Sequence, residues 1–253
     1  MKFNERYASA DWHSNLALQT IRHKIIGLGG IGSHLAFKLS RIGAINIDLY
    51  DFDKVENHNI GGQLYSHEQI NQSKAYATRE FLMLMKGQDQ DLNVYDFNYK
   101  VNHVADLFNY YSSNFFVCVD NMKTRINIAN SFKSYKNSLN DNAILIESRL
   151  GPTGYEIYFI TKDTIDFYLE HCLFTDEEAN AVTCSYQQTT HVASALASRI
   201  VNLYTNYLNN EVLNQEHSTD IKYFPVPFYL RENCDLLTIK IANTTDEYEI
   251  ITS

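Results

Sequence analysis

Ile25-Ile26-Gly27-Leu28-Gly29-Gly30-Ile31-Gly32-Ser33-His34-Leu35 is the stretch on which the reading of this chain turns. Two β-branched apolar residues lead into four glycines within six positions. Leu35, Leu39 and Ile42 then recur at helical spacing until Gly43. The pattern predicts a strand, a tight turn that admits no side chains, and a helix. Ile45-Asn46-Ile47-Asp48-Leu49-Tyr50 alternates as a second strand ending at Asp51, 19 residues beyond Gly32, which completes a βαβ unit. In that context a GxGxxG turn lets backbone N–H groups approach a phosphate, which the positive end of the helix also favours. An acid at the end of the second strand is placed to accept ribose hydroxyls, so Asp51 joins Gly27, Gly29, Gly30 and Gly32 as a nucleotide-binding candidate. The glycines matter because the chain holds only ten in 253 residues, with three prolines. On these residues alone, NAD and ATP are not separable.

Outward from this unit, Lys74 to Met85 reads as a helix and Leu92 to Phe97 as a third strand. Phe115 to Val119 is a short buried strand closing at Asp120, followed by a helix from about Thr124 to Tyr135 and a further strand over Ala143 to Glu147. Strands alternating with helices predict an α/β fold: a Rossmann-like, mostly parallel sheet with helices on both faces. Beyond Gly151-Pro152 the pattern changes. Tyr155 to Ile160 suits an added strand, Glu170 to Gln188 is weakly patterned, and Val192, Leu196, Ile200, Leu203 and Tyr207 mark a long helix. The segments Tyr223–Leu230, Leu236–Ile241 and Tyr248–Ile251 read as a β-rich C-terminal extension. Without repeats or linkers, the expectation is one domain over 1–253, with a nucleotide-binding core at about 22–150 and a crossover segment and extension at about 151–253.

Composition narrows the function. Lys and Arg number 21 against 30 Asp and Glu, a net charge of −9 with no basic block, which argues against nucleic acid. No apolar run approaches the ~18 residues of a membrane span. Four cysteines (Cys118, Cys172, Cys184, Cys234) without a secretion signal predict reduced thiols in a cytoplasmic protein. No CxxC pair is present, and zinc is not expected; His171, Cys172 and Cys234 are the weak alternative.

Three residues favour ATP over a dinucleotide. Lys74 opens a helix after an irregular loop, where it can reach a polyphosphate as a point charge. Asp120 stands at the carboxyl end of a buried strand, where open α/β sheets bind ligands, and can hold magnesium on a triphosphate. Its alternative role is to cap the following helix. Arg125 can pair with an acid or with a phosphate.

The elements GLGGIGSH (27–34), RIGAINIDLYDFDKVENHNI (41–60), Gln63, Lys74-Ala75, VCVDNMKTR (117–125) and Ala181-Val182-Thr183-Cys184 together resemble the ThiF/MoeB-like superfamily, which also holds the ubiquitin-activating enzymes. The resemblance implies adenylation: ATP with magnesium activates the C-terminal carboxylate of a small ubiquitin-like or sulfur-carrier-like protein or a peptide. By position it assigns the four glycines to the nucleotide, Asp51 to the ribose, and Asp53, Asn59, Gln63 and Lys74 to the phosphates. Asp120 becomes the magnesium carboxylate, with Asn121 and Arg125 beside it. It also implies a homodimer or a heterodimer with a related subunit, and in some members a cysteine at the place of Cys184 takes the acyl group as a thioester. His191 is a possible neighbour of that thiol, and Arg149 a weaker candidate for the substrate tail. One departure stands out. The resembled family keeps an arginine between Asn59 and Gln63, where this chain has Gly61-Gly62; Arg6, Arg22 or a partner chain are the substitutes on offer. The competing classes are a non-catalytic nucleotide-binding subunit and an NAD-dependent oxidoreductase.

Overall fold

The computed structural model describes residues 17–87, 91–101, 107, 113–139, 141–151, 153–175, 190–215 and 226–252. A short helix α1 (Ala17–Thr20) precedes β1 (Arg22–Ile26), α2 (Gly30–Ile42) and β2 (Asn46–Tyr50). Then come α3 (Lys74–Met85), β3 (Asn93–Phe97), β4 (Ser113–Val117), α4 (Met122–Tyr135), β5 (Leu145–Leu150) and β6 (Gly154–Ile160). The remainder is α5 (Ile165–His171), α6 (Thr190–Gln215), β7 (Tyr229–Asn233), β8 (Thr238–Ala242) and α7 (Thr245–Thr252).

The eight strands of the described residues form one sheet in the order β3-β2-β1-β4-β5-β6-β7-β8. β3 through β5 in that order are mutually parallel, and β6, β7 and β8 are added antiparallel. The expected fold class is therefore the observed one. Chain order reverses between β1 and β4, and that switch point is where α/β sheets leave a crevice at the strands' carboxyl ends.

Both faces of the sheet are covered. Leu35 and Leu39 of α2, Leu82 of α3, and Leu196, Ile200 and Tyr204 of α6 pack with Ile25, Leu49 and Phe116 on one face. Ile128 and Phe132 of α4, Tyr168 of α5 and Tyr248 of α7 pack with Ile26, Phe115 and Tyr158 on the other. Central strands buried on both sides explain their short, apolar runs. β1 is the exception in composition, because Arg22, His23 and Lys24 occupy it and only Ile25-Ile26 announced a strand. Asp48 of β2 accounts for two of the three, lying 2.7 Å from Arg22 and 3.7 Å from Lys24. His23 Nε2 lies 2.9 Å from the Tyr204 hydroxyl.

Several boundaries differ from the sequence reading. Tyr248–Ile251 is helical rather than β, for a local reason. The Glu247 backbone N–H donates to Thr244 Oγ1, which caps α7, and Glu247 Oε2 accepts from the Asn243 N–H, which ties the helix start to the preceding turn. β4 ends at Val117 and α4 starts at Met122, earlier than expected. β5 runs on through Arg149, and α5 was not anticipated. Of the first tail segment, 223–225 lie outside the described residues and the strand starts at Tyr229. Among the described residues no helix is long and apolar enough to cross a membrane.

Candidate active site

The glycine turn is shaped by backbone crowding. Gly27 has φ +88°, and a Cβ there would lie 2.8 Å from the Cys118 carbonyl oxygen. A Cβ on Gly32 would lie 1.9 Å from the Gly27 oxygen, so this residue faces its own turn and does not line the cavity. Gly29 caps α2 with no side-chain hydrogen bond, which leaves the first N–H groups of the helix open to an anion.

A cavity of about 530 Å³ opens above this turn. It gathers Gly27, Gly29, Gly30, Asp51, Asp53, Gln63, Lys74, Asp120, Asn121 and Arg125, so residues up to 98 positions apart in sequence meet at one switch point. Asp51 is nearly buried and accepts from the Leu28 N–H at 2.7 Å and the Asp53 N–H at 2.8 Å. Burial raises its pKa, against the pull of those two N–H groups. Asp51 thus fixes the glycine turn as well as facing the cavity.

The loop between β2 and α3 carries the next side chains. Tyr65 donates to the Leu28 carbonyl at 2.7 Å, and the Leu64 N–H donates to Ser33 Oγ at 3.1 Å, which clamps the loop onto the glycine turn. Asn59 does not line the cavity. Its Oδ1 accepts from the Glu56 N–H at 2.8 Å and its carbonyl accepts from Gln63 N at 2.9 Å, so it shapes the turn that delivers Gln63. Gln63 Oε1 is buried and makes no hydrogen bond among the described residues. Lys74 is the first residue of α3, after Ser73 caps it, and its Nζ lies 3.2 Å from Asp53 Oδ2. A Cβ on Gly61 would meet nothing within 4 Å among the described residues, and the Gly61 carbonyl accepts from Thr190 Oγ1 at the start of α6.

At β4, Asp120 is exposed to the cavity and Asn121, not Asp120, caps α4, accepting from Thr124 N at 2.9 Å. Asp120 Oδ1 accepts from the Asn121 amide at 3.3 Å. The capping alternative for Asp120 therefore falls to its neighbour, and the carboxylate is left facing the cavity. Among the described residues no group of three or more His, Cys, Asp or Glu converges as a metal cage.

Arg125 pairs with an acid. Its Nε lies 2.8 Å from Glu147 Oε1, and its Nη2 donates to the Val119 carbonyl at 2.6 Å. Glu147, 1% exposed, also accepts from Arg149 Nε at 2.9 Å. Arg149 further donates to the Cys172 carbonyl at 2.9 Å and lies over the Tyr158 ring at 4.4 Å. Burial is the largest influence and opposes its charge, but Glu147, Tyr158, Tyr168 and Glu156 together outweigh it and hold its pKa above the usual arginine value. Arg125 and Arg149 of this triad line the cavity, and the buried Glu147 bridges them. The sequence reading named the two arginines and not Glu147; its signal was Glu147-Ser148-Arg149, opposite charges two apart and so on one strand face. Lys100, whose Nζ lies 5.5 Å from the Phe52 ring centroid, and Arg231 also line the cavity and were missed.

Arg22 cannot replace the missing arginine, since it starts β1 at the opposite end of the sheet and is held by Asp48. Arg6 and Cys184 lie outside the described residues. His191 is described and exposed. Cys118 and Cys172 are buried, and burial pushes both thiols up to about 12.

The sequence profile of the ThiF family matches residues 6–234. The chain belongs to the ThiF family. Ubiquitin-like modifier-activating enzyme 5 of Caenorhabditis briggsae is 34% identical over 84 residues, covering 33% of this chain and 19% of that protein. The Drosophila willistoni enzyme of the same name is 27% identical over 147 residues, covering 50% and 36%. Among solved structures, E. coli MccB with MccA-N7isoASN superposes with a TM-score of 0.69 at 16% identity, covering 92% of this chain and 66% of that one. PaaA superposes at 0.66 and 15% identity, covering 91% and 65%. The matches thus span a fifth to a third of the curated relatives and about two-thirds of the solved neighbours. At these identities the neighbours share the ThiF fold.

Proposed function

We propose that this protein is an ATP-dependent adenylyltransferase acting on the C-terminal carboxylate of a small ubiquitin-like protein or peptide. The observation that carries this reading is the single cavity in which the bare N-terminus of α2, Lys74 and Asp120 converge. ThiF-family membership supports it, as do solved MccB structures described as holding ATP and the peptide MccA.

The donor set fits a nucleoside triphosphate. Gly27 leaves no room for a side chain, Gly29 and Gly30 line the cavity with backbone, Gln63 has a buried oxygen unused among the described residues, and Asp51 faces the ribose position. Asp53 and Lys74 form the polar wall for the phosphates. Asp120 is the carboxylate for magnesium, which when bound neutralises triphosphate charge. The acceptor carboxylate attacks the α-phosphorus, the bond to pyrophosphate breaks, and an acyl-adenylate results. A carboxylate is already ionised at neutral pH, so no base is required. The chain's task is to offset the repulsion between anions with Lys74 and the α2 N–H groups, and to hold the two reactants in line. Asn121 and Arg125 act by position: one caps α4, the other anchors β5 through Glu147. Transfer of the acyl group to Cys184, with AMP leaving, is the further step of this proposal. So are a cytoplasmic setting, one adenylation domain over 1–253, and a dimer whose partner supplies the guanidinium absent at Gly61-Gly62.

Thermal stabilisation tests the nucleotide assignment. ATP with magnesium at about a hundred times its Kd should add about 2.7 kcal/mol, and NAD nothing. Asp120→Ala should remove the magnesium dependence while leaving AMP binding in place. Stabilisation by NAD and not by ATP would overturn the reading. Pyrophosphate exchange that never appears with any acceptor, alone or with a related subunit, would favour the non-catalytic subunit instead.

A further inference from the structure

The cavity extends well past the nucleotide half. Beyond the Arg125–Glu147–Arg149 triad it continues over the antiparallel strands, where Glu156, Phe174, Arg231 and Glu232 line it. Strand register places these residues. Ile26, Val117 and Glu147 share one row across β1, β4 and β5, and Arg149, Glu156 and Arg231 share the row two residues further on, level with the glycine turn.

In this half nearly every charge is committed. Glu232 accepts from the Tyr155 hydroxyl and, at 3.0 Å, from Arg199 of α6. Glu156 accepts from the Tyr229 hydroxyl at 2.9 Å. Arg149 is bound to Glu147 and to the Cys172 carbonyl. Arg231 differs. Among the described residues its one ion pair is to Glu156 at 3.9 Å, too long for a hydrogen bond, and its side chain is 58% exposed. A guanidinium offers five donors in a planar fork suited to a carboxylate. It is therefore the unspent anion-binding group of this half.

Its distance from the reacting end follows from the sheet. Four strand steps separate β1 from β7, about 19 Å at ~4.8 Å per step. An extended chain covers that in about six residues at ~3.3 Å each. We propose that Arg231 reads an Asp or Glu side chain five to six residues before the acceptor's C-terminus, in a tail lying extended across the sheet edge formed by the carboxyl ends of β4, β5 and β7 and the amino end of β6. The direction of the tail rests on the adenylation reading; the charge preference rests on the cavity alone.

The test uses N-terminally fluorescein-labelled ten-residue peptides ending in Gly-Gly, with Glu, Gln or Lys at the sixth or seventh position from the end. Binding is measured by anisotropy on the full chain with magnesium and α,β-methylene-ATP, and melting temperature controls for folding. Glu should bind about fivefold tighter than Gln, the scale of one partly exposed ion pair. That preference should vanish in Arg231→Gln and turn toward Lys in Arg231→Glu. Equal binding, a Lys preference in the unmodified chain, a Glu preference that survives Arg231→Gln, or no measurable binding overturns the proposal. Pyrophosphate exchange on the same peptides separates the two readings. A Glu preference without exchange keeps Arg231 and sinks adenylation; exchange without charge preference does the reverse.

Discussion

Replacing Glu147 with Gln is the sharpest probe of the buried Arg125–Glu147–Arg149 triad. The carboxylate is 1% exposed and lies 2.8 Å from Arg125 Nε and 2.9 Å from Arg149 Nε, with one guanidinium arriving from α4 and the other on β5 itself. Arginine does not shed its proton in a protein, so the variant cannot neutralise the two cations it strands. Breaking a buried ion pair from one side costs about 3–5 kcal/mol. That is a large share of the ~5–15 kcal/mol that stabilises a typical domain. At about 2–4 °C per kcal/mol for a chain of this size, the melting temperature should fall by about 6–20 °C. Circular-dichroism melts and urea titrations read this directly. Converting all three residues to Met should restore much of the loss, because an apolar trio removes the stranded charges along with the pair. A Glu147→Gln variant within about 1 kcal/mol of the parent would refute the reasoning, since it would mean that water reaches the triad and screens it.

Other substitutions follow from the same geometry. Gly32→Ala sets a Cβ 1.9 Å from the Gly27 carbonyl oxygen, so it should cost about 1–3 kcal/mol and weaken ATP protection in the thermal-shift assay. Unchanged nucleotide binding would count against the glycine turn as the phosphate site. A Cβ on Gly61 meets nothing within 4 Å among the described residues, so for Gly61→Arg stability should stay within about 0.5 kcal/mol. Pyrophosphate exchange should rise if phosphate charge limits the rate. His23 is fully buried, and burial lowers its pKa from 6.5 to about 4. The unfolded chain therefore takes up the proton first as pH falls. The contribution of His23 is complete above pH 6.5 and declines by about 3 kcal/mol toward pH 4. His23→Gln should flatten the difference in urea midpoint over that window, and an unchanged slope would place the proton elsewhere.

The βαβ unit was legible because its signals are local. Gly27 and Gly32 exclude side chains because backbone atoms crowd them, and the apolar periodicity of α2 and β2 needs no distant partner. The tail was less legible. Tyr248–Ile251 alternates like a strand, but the Thr244 cap and the Glu247–Asn243 bond start a helix there.

What the sequence determined by itself was the fold class, the glycine turn, and three of the residues that line the cavity above it: Asp51, Lys74 and Asp120. What only tertiary structure decided was which charges are free. Arg125 and Asn121 looked available to a ligand, yet Glu147 and the α4 N-terminus hold them. Arg231 sat in a tail with no motif, yet it stands on the cavity wall, in register with Arg149 and Glu156, and its guanidinium makes no hydrogen bond among the described residues. β1 shows the same division, since Arg22 and Lys24 make it polar in sequence and Asp48 makes it tolerable in the sheet. A side chain's chemistry is local, but its partner is set by strand register and helix docking, which bring residues from opposite ends of the chain within hydrogen-bonding reach.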